Sequence, residues 1–264
     1  MRTEIIYEDK DILVIYKPAG LATQTAKLGQ ADVLSELKNY LMQSAKGSGK
    51  ASQVPGREVY LGVIHRLDQP VEGLLVFAKQ KRAAADLTKQ LQSQGEGGSL
   101  HKHYYAVVCG NPEAKQGRLV DYMLKSAENL AVIVDKSANG QKQDQGKIQA
   151  REAVLEYQLK AGREVGKGIS SADDSRRDEQ NVALIDINIF TGRFHQIRAQ
   201  MAHAGIPLLG DTKYGSAESK ELTKALGIQA VALCAYSLEF LHPTTKKRMY
   251  FEEKPRGKAF EMFS

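Results

Sequence analysis

The chain has 264 residues, with 37 lysines and arginines against 31 aspartates and glutamates, giving a formal net charge of +6. Hydrophobic residues make up 42% and charged residues 26%, an ordinary globular composition that excludes wholesale disorder and a fibrous chain. The two cysteines, Cys109 and Cys234, lie far apart in apolar surroundings, which excludes a disulfide framework and a cysteine zinc site and favours a reducing compartment.

The N-terminal segment carries charges and turns at once into strand-like sequence, without the apolar region of a secretory signal. Apolar stretches such as Leu74 to Ala78 are far shorter than the roughly 18–20 residues that span a bilayer. These patterns predict a cytoplasmic protein without a membrane segment. The positive charge is compatible with a polyanionic partner but does not identify one.

The first part of the chain mixes strand and helix patterns. Ile5 to Tyr7 and Ile12 to Tyr16 are β-rich runs that predict a hairpin. Ala31 to Met42 has apolar residues at spacings of three and four, which predicts an amphipathic helix. Tyr60 to Ile64 and Leu74 to Ala78 predict two buried strands that enclose a polar loop.

The rest of the chain is richer in strands. A second helix is predicted over Lys81 to Leu91, and a third begins near Thr191 and ends at Gly205. Further strands are predicted at His103 to Val108, Ala131 to Asp135, Ala153 to Lys160 and Ala183 to Phe190. Polar segments 44–58 and 161–180 predict loops, the second of them mobile. Because strands outnumber helices and do not alternate strictly with them, we expect an α+β fold with a large, mainly antiparallel mixed sheet and flanking helices.

Three groups of residues are candidates for chemistry. The loop between the two buried strands carries His65, Arg66 and Asp68, although a loop aspartate more commonly accepts backbone hydrogen bonds in a turn. The segment 191–198 places five hydrogen-bonding side chains at a strand-to-helix junction, and its alternative is a solvated helix face. There, His195 and Arg198 are three residues apart and are expected to share a helical face.

The third candidate is a strand with two adjacent tyrosines, Tyr104 and Tyr105. They must point to opposite faces of a sheet, so one can lie in the core while the other faces a groove. The alternative is that both are half-buried sheet residues with hydroxyls that reach water.

These groups belong to a larger set of motifs that occur in one order along the chain. They are KPAGL at 17–21, HRLD at 65–68 followed by GLLVFAK at 73–79, KHYYAVV at 102–108, TGRFHQIR at 191–198 and GIPLLGDTKYG at 205–215. Together they closely resemble the RluA-type family of RNA pseudouridine synthases, from about residue 5 to residue 255. Their joint occurrence is far more specific than any one motif.

The resemblance implies an enzyme that isomerises uridine to pseudouridine within RNA by breaking the N1–C1′ bond, turning the base and rejoining it through C5. It implies a single catalytic domain over residues 1–264 with a central RNA-binding cleft, no separate N-terminal RNA-binding module, and a monomer. The partner is a structured transfer or ribosomal RNA, with the target uridine flipped out of its stack. The family uses no cofactor and no metal, and the six histidines here form no metal-ligand spacing.

Carried over residue by residue, the resemblance makes Asp68 the catalytic aspartate and Arg198 the arginine that pairs with it and lowers its pKa. Tyr104 matches the active-site tyrosine, which leaves Tyr105 as the better core candidate. Whether the aspartate attacks C1′ or removes the C2′ proton remains open.

Further residues are implied in binding the substrate. Ile197 matches an aliphatic residue that packs on the target base, and Arg66 matches one that fills the gap left by the flipped uridine. The remaining expected RNA contacts are His65, Arg193, His195 and Lys17.

The chain departs from the family pattern at two places. Many members read D-x-D-T-S-G where this chain has Asp68-Gln69-Pro70-Val71-Glu72-Gly73, and Tyr16 stands where an asparagine is common. We expect Glu72 to point away from the site or to meet a lysine.

Two other functions remain open. One is a non-catalytic RNA-binding protein with the same fold. The other is a hydrolase of glycosidic bonds, for which Glu72 is the one candidate for the second carboxylate.

Overall fold

The computed structural model describes residues 1–25, 29–47, 59–92, 100–138, 142–143, 146–147, 150–165 and 180–264. Its α-helices are α1 (Val33–Gly47), α2 (Lys81–Gln92), α3 (Gln196–His203) and α4 (Ala217–Ala225). Short 3₁₀ helices cover Lys136–Ala138 and Lys258–Phe263.

Strands supply most of the regular structure. They are β1 (Glu4–Glu8), β2 (Ile12–Lys17), β3 (Gly62–Val63), β4 (Glu72–Ala78), β5 (His101–Cys109), β6 (Gln116–Lys125), β7 (Ala131–Val134), β8 (Lys142–Gln143), β9 (Gly146–Lys147), β10 (Arg151–Val165), β11 (Gln180–Ile189), β12 (Leu233–Leu241) and β13 (Arg248–Glu252). The chain divides into two compact units. The first unit holds residues 1–102 and 235–254, and the second unit holds residues 103–234 and 255–264.

The first unit is a sheet with helices packed against it. Strand β2 pairs antiparallel with both β1 and β4, and β13 pairs antiparallel with β12. Every residue of β2 and of β4 is buried, because both strands lie inside the sheet. Helix α2 contributes Ala83 and Leu87 to a core cluster that also contains Phe240. The loop that carries Asp68 therefore leads directly into a buried, rigid strand.

The second unit is an antiparallel sheet in the order β5, β11, β10, β6, β7. Side chains alternate along these strands, so one face supplies Met123, Ala131 and Ala153 to a small core cluster. Helix α3 packs on this cluster through Ala199. The sheet thereby holds the N-terminal end of α3 and the turn that precedes it.

The predicted α+β class with a mainly antiparallel sheet is confirmed. Several elements differ from the sequence pattern, since α1 continues to Gly47 and the predicted strand at Tyr60 to Ile64 is reduced to Gly62–Val63. The mobile-loop prediction for 161–180 is wrong at both ends, because β10 reaches Val165 and pairs there with Gln180 of β11. These hairpin ends are polar, so backbone pairing forms there without apolar periodicity. Residues 48–58 and 166–179 of the two predicted loops lie outside the described residues.

Six of the strands and α-helices were not predicted: β6, β8, β9, β12, β13 and α4. Strand β6 has two adjacent apolar residues, Leu119 and the half-exposed Val120, so it lacks a clean alternation of apolar and polar residues. In the described part of the chain, no helix is long and apolar enough to cross a membrane.

Candidate active site

In the first unit, Asp68 lies in a turn, and the residues before and after it are hydrogen-bonded to another segment of the chain. The Val71 N–H donates to the Asp68 carbonyl at 3.0 Å, which closes the turn. Before it, the buried Thr23 hydroxyl donates to the Leu67 carbonyl at 2.9 Å and accepts from the Leu67 N–H at 3.2 Å. After it, the Gly20 N–H donates to the Gln69 carbonyl at 2.8 Å. The half-buried Asp68 side chain thus stands on a backbone with little freedom to move.

Lys17 supports the same turn from the interior. Its side chain is fully buried, and its Nζ donates to the carbonyls of Leu21 at 2.7 Å, Pro18 at 3.0 Å and Gln69 at 3.2 Å. Burial lowers the pKa of Lys17 to about 7, although the negative charges of Asp68 and Glu72 act in the opposite direction. The structure therefore places the Lys17 side chain inside the protein, where it binds three backbone carbonyls.

The two positions where this chain departs from the family pattern are in contact. The Tyr16 hydroxyl donates to Glu72 Oε2 at 2.8 Å, and both side chains are buried. Tyr16 pairs with Leu74 across β2 and β4, so Glu72 lies diagonally opposite Tyr16 on the same face of the sheet. The expectation that Glu72 points away from the site or meets a lysine did not anticipate this tyrosine partner.

His65 and Arg66 are adjacent in sequence but have different surroundings. Arg66 is exposed, whereas His65 is buried and its Nε2 accepts from the Val76 N–H at 3.4 Å. Burial holds the pKa of His65 well below its usual value, and the nearby charge of Lys102 adds to this effect. His65 is thus a neutral interior residue, and Arg66 is the side chain of this pair that solvent or a ligand can reach.

In the second unit, the turn before α3 is held by the side chain of Gln196. Its Oε1 accepts from the Thr191 hydroxyl at 2.8 Å and from the Arg193 N–H at 3.0 Å, and its Nε2 donates to the Val154 carbonyl at 3.1 Å. Arg193 Nε also donates to a backbone carbonyl, that of Glu152, at 2.8 Å. Three of the five hydrogen-bonding side chains at this junction, those of Thr191, Arg193 and Gln196, therefore bind backbone groups of β10.

His195 does not lie on the face of α3, so the prediction that it shares a helical face with Arg198 is wrong. The helix begins at Gln196, and His195 precedes it with a left-handed φ of 52°. Its ring stacks on Phe194 with centroids 3.8 Å apart, and its Nδ1 lies 2.8 Å from the Tyr214 hydroxyl. These two contacts stabilise a backbone conformation that is uncommon for a residue other than glycine.

Arg198 forms a buried ion pair that the sequence did not predict. Its Nε and one Nη donate to the two carboxylate oxygens of Asp211 at 2.7 and 2.8 Å. Burial opposes ionisation of Asp211, but the Arg198 guanidinium and the backbone N–H groups of Lys213 and Tyr214 hold the pKa of this carboxyl below its usual value. The pair fixes the position of the Arg198 guanidinium on α3.

The two tyrosines of β5 are placed differently from the prediction. Tyr104 is the more buried, with 5% of its surface exposed, and Tyr105 is half-buried. Tyr104 lies opposite the buried Ile187 of β11, whereas Tyr105 lies opposite Asp186. Tyr105 is therefore not the core residue of the two, because the partner strand places its polar side chain on that face.

Three residues around these candidates had been left without a role, namely Thr23, Asp211 and Tyr214. Asp211 and Tyr214 belong to the motif at 205–215, which carried the resemblance but gave no partner for either side chain. The sequence offered one signal for these residues, a short polar cluster after an apolar run. Such a cluster does not identify the hydrogen-bond partners of its side chains. Among the described residues, no cluster of three or more histidine, cysteine, aspartate or glutamate side chains could hold a metal ion.

Comparison with known proteins gives a consistent result along most of the chain. A family model described as RNA pseudouridylate synthase matches residues 11–203. The chain is 31% identical over 250 residues to tRNA pseudouridine synthase C of Haemophilus ducreyi, which covers 94% of this chain and 89% of that protein. It is 31% identical over 254 residues to ribosomal large subunit pseudouridine synthase D of Zymomonas mobilis, which covers 94% of this chain and 68% of that protein.

Solved structures share the fold. Human RNA pseudouridylate synthase domain containing 4 superposes with a TM-score of 0.64 at 21% identity, covering 98% of this chain and 92% of that chain. Human RNA pseudouridylate synthase domain containing 1 gives a TM-score of 0.61 at 18% identity, with 96% and 83% covered.

Proposed function

Because the chain belongs to the RluA-type family of RNA pseudouridine synthases, we propose that it converts selected uridines of RNA to pseudouridine with Asp68 as the catalytic carboxylate. The observation that carries the proposal is the turn around Asp68. It is held by Thr23 and Gly20 on one segment and continues into the buried strand β4. A reacting group needs this kind of support, since small displacements of a catalytic side chain lower rates strongly.

Asp68 acts at the ribose of the target uridine. Its carboxylate either forms a bond to C1′ or removes the proton from C2′ while the N1–C1′ bond breaks. The base then rotates and C5 bonds to C1′, which displaces the carboxylate in the first route and is followed by return of the C2′ proton in the second. C5 then loses its proton and N1 gains one. Both routes return the carboxylate unchanged, so the net reaction is an isomerisation. Arg198 is proposed to orient this carboxylate, with Asp211 holding the guanidinium in place.

The remaining site residues are proposed to bind the substrate. Tyr104 and Ile197 contact the flipped uridine, and the exposed Arg66 occupies the space it leaves in the RNA stack. Arg193 and His195 contact nearby RNA. Lys17 and His65 are proposed to support the Asp68 turn and its strand, since Lys17 Nζ donates to the Gln69 carbonyl and His65 Nε2 accepts from the Val76 N–H.

The RNA substrate is proposed to be transfer or ribosomal RNA, because the similar proteins from Haemophilus ducreyi and Zymomonas mobilis are named for these two classes. We further propose that the protein works as a monomer in the cytoplasm, without a cofactor.

The test is to incubate the protein with unmodified transfer and ribosomal RNA transcripts, followed by carbodiimide labelling and primer extension. We expect pseudouridine stops at discrete positions, and Asp68→Asn should lower the rate by roughly 10³-fold or more because it removes the reacting group. Asp135→Asn makes the same change at an exposed position and should leave the rate unchanged.

Two outcomes would contradict the proposal. RNA binding without pseudouridine would identify a non-catalytic RNA-binding protein. Release of free uracil would identify a hydrolase of the glycosidic bond.

A further inference from the structure

The loop that carries Asp68 has an attachment in this chain that the family pattern does not contain. Where many members have hydroxyl residues after the aspartate, this chain has Val71 and the buried Glu72. Where many members have asparagine before Lys-Pro, it has Tyr16. The two departures are 56 residues apart in sequence and are joined by a hydrogen bond of 2.8 Å.

The bond lies in the interior of the first unit. Tyr16 is 2% exposed and Glu72 is 5% exposed, so water competes little for either group. A carboxylate that is removed from water needs strong donors and a compensating charge. Tyr16 supplies a donor, and Lys17, the next residue, is close enough for Glu72 to affect its titration.

The position of Glu72 connects this pair to the turn of Asp68. Glu72 is the first residue of β4 and follows Val71, whose N–H closes the turn. Gly73 comes next with a φ of 125°, and a Cβ at this position would lie 2.4 Å from the Ala235 carbonyl oxygen. The backbone conformation between the turn and the strand is therefore restricted at Gly73, and the hydrogen bond to Tyr16 holds the Glu72 side chain at the preceding residue.

We propose that Tyr16 and Glu72 are a positioning pair that, together with Lys17, holds the C-terminal side of the Asp68 turn in place of the hydroxyl residues found in many relatives. Thr23 is hydrogen-bonded to Leu67, the residue before Asp68. Lys17 and Gly20 donate to the carbonyl of Gln69, and the Tyr16–Glu72 bond holds the end of the turn. Neither residue touches the substrate. Their effect reaches the reaction through the position of the Asp68 carboxylate, so the inference rests on the proposed function.

The test is a double-mutant cycle of Tyr16→Phe, Glu72→Gln and the two combined, with kcat and KM measured on an RNA that the wild-type protein modifies. We expect each single change to lower kcat roughly 10-fold to 100-fold, the range for losing a hydrogen bond to a charged group. KM should stay within about twofold, because neither side chain of the pair is proposed to touch the substrate. The combined variant should be no slower than the slower single variant, since both changes break one interaction.

A matched control is present in the same unit. The Tyr40 hydroxyl donates to Glu8 Oε2 at 2.9 Å, which is the same kind of bond at a distance in sequence from the turn. Tyr40→Phe should lower the unfolding midpoint and leave kcat unchanged. Lower stability with unchanged kcat in Tyr16→Phe as well would assign the pair a structural role only and overturn the inference.

A rescue variant separates positioning from damage to the fold. Glu72→Ser alone should be slow, because Tyr16 then has no carboxylate to bind. Adding Tyr16→Asn restores both residues common in the family and should recover at least about fivefold of the lost kcat. No recovery, additive effects in the cycle or a change confined to KM would each overturn the inference. If the wild-type protein forms no pseudouridine on any RNA, the proposed function fails first and the inference fails with it.

Discussion

At the scale of single residues, burial determines what Lys17 and His65 can contact. The family resemblance places Lys17 and His65 among the RNA contacts, whereas both side chains lie inside the first unit. A motif identifies the position of a residue along the chain, but the direction of its side chain depends on which faces of the strand are covered. Because β2 is buried on both faces, Lys17 turns inward to three carbonyl oxygens.

The burial of His65 predicts a pH dependence of stability. Its pKa is well below the usual 6.5 in the folded protein and about 6.5 in the unfolded chain. Below about pH 6.5 the unfolded chain therefore binds a proton that the folded protein does not, so this residue's contribution is present above that pH and lost on acidification.

We expect the free energy of unfolding to fall more steeply between about pH 6.5 and 5 in the wild-type protein than in His65→Gln, which keeps an acceptor for the Val76 N–H but does not titrate. Denaturant unfolding at a series of pH values measures the difference. If the free energy of unfolding changed with pH equally in the two proteins, His65 would be protonated to the same extent in the folded and unfolded states.

At the scale of elements, the N-terminal end of α3 depends on contacts from other parts of the second unit. Gln196 joins the turn to Val154 of β10, and Asp211 binds Arg198 from the segment after the helix. The helix itself has eight residues, too few to be stable alone. Its position therefore comes from these tertiary contacts.

The Arg198–Asp211 pair predicts a large effect of neutralising Asp211. The side chains are 4% and 0% exposed, so Asp211→Asn leaves a buried guanidinium without its countercharge and should destabilise the protein by about 3–5 kcal/mol. Glu156→Gln provides the comparison, since the Arg118–Glu156 pair is 57% and 45% exposed and should cost less than about 1 kcal/mol. Denaturant midpoints test both, and equal losses would contradict a special role of the buried pair.

At the scale of the whole molecule, the location of each lysine and arginine side chain is a better guide to RNA binding than the net charge of +6. Lys17 and Lys102 are buried, and burial also lowers the pKa of Lys102, to about 8. These two residues add to the total charge but offer no surface to a phosphate. Arg66 is exposed and Arg193 is partly exposed, which makes them the better candidates.

This distinction predicts a position-dependent salt effect on RNA binding. Arg66→Gln, Arg193→Gln and Arg248→Gln each lower the formal charge of +6 by one. Arg248 is an exposed residue of β13 whose side chain pairs with Glu239 of β12. If Arg66 or Arg193 neutralises a phosphate, its substitution should make the negative slope of log affinity against log salt shallower by about 0.7–0.9. Arg248→Gln should leave the slope unchanged. Binding titrations at several salt concentrations measure these slopes. Equal slopes for all variants would show that the charge acts through its total alone.

The amino-acid sequence by itself determined the family, the α+β class and the position of Asp68 in the chain. These properties follow from motif order, strand-like apolar runs and a polar loop between two of them, all of which are local patterns. It also marked Tyr16 and Glu72 as departures from the family pattern.

Only the tertiary structure decided which residues meet. It joined Tyr16 to Glu72 and Arg198 to Asp211, placed His195 before α3, and put Tyr104 on the more buried face of β5. The physical reason is that side-chain partners and burial depend on strand register and on the elements that cover each face. These are relations between distant segments, which no local pattern contains.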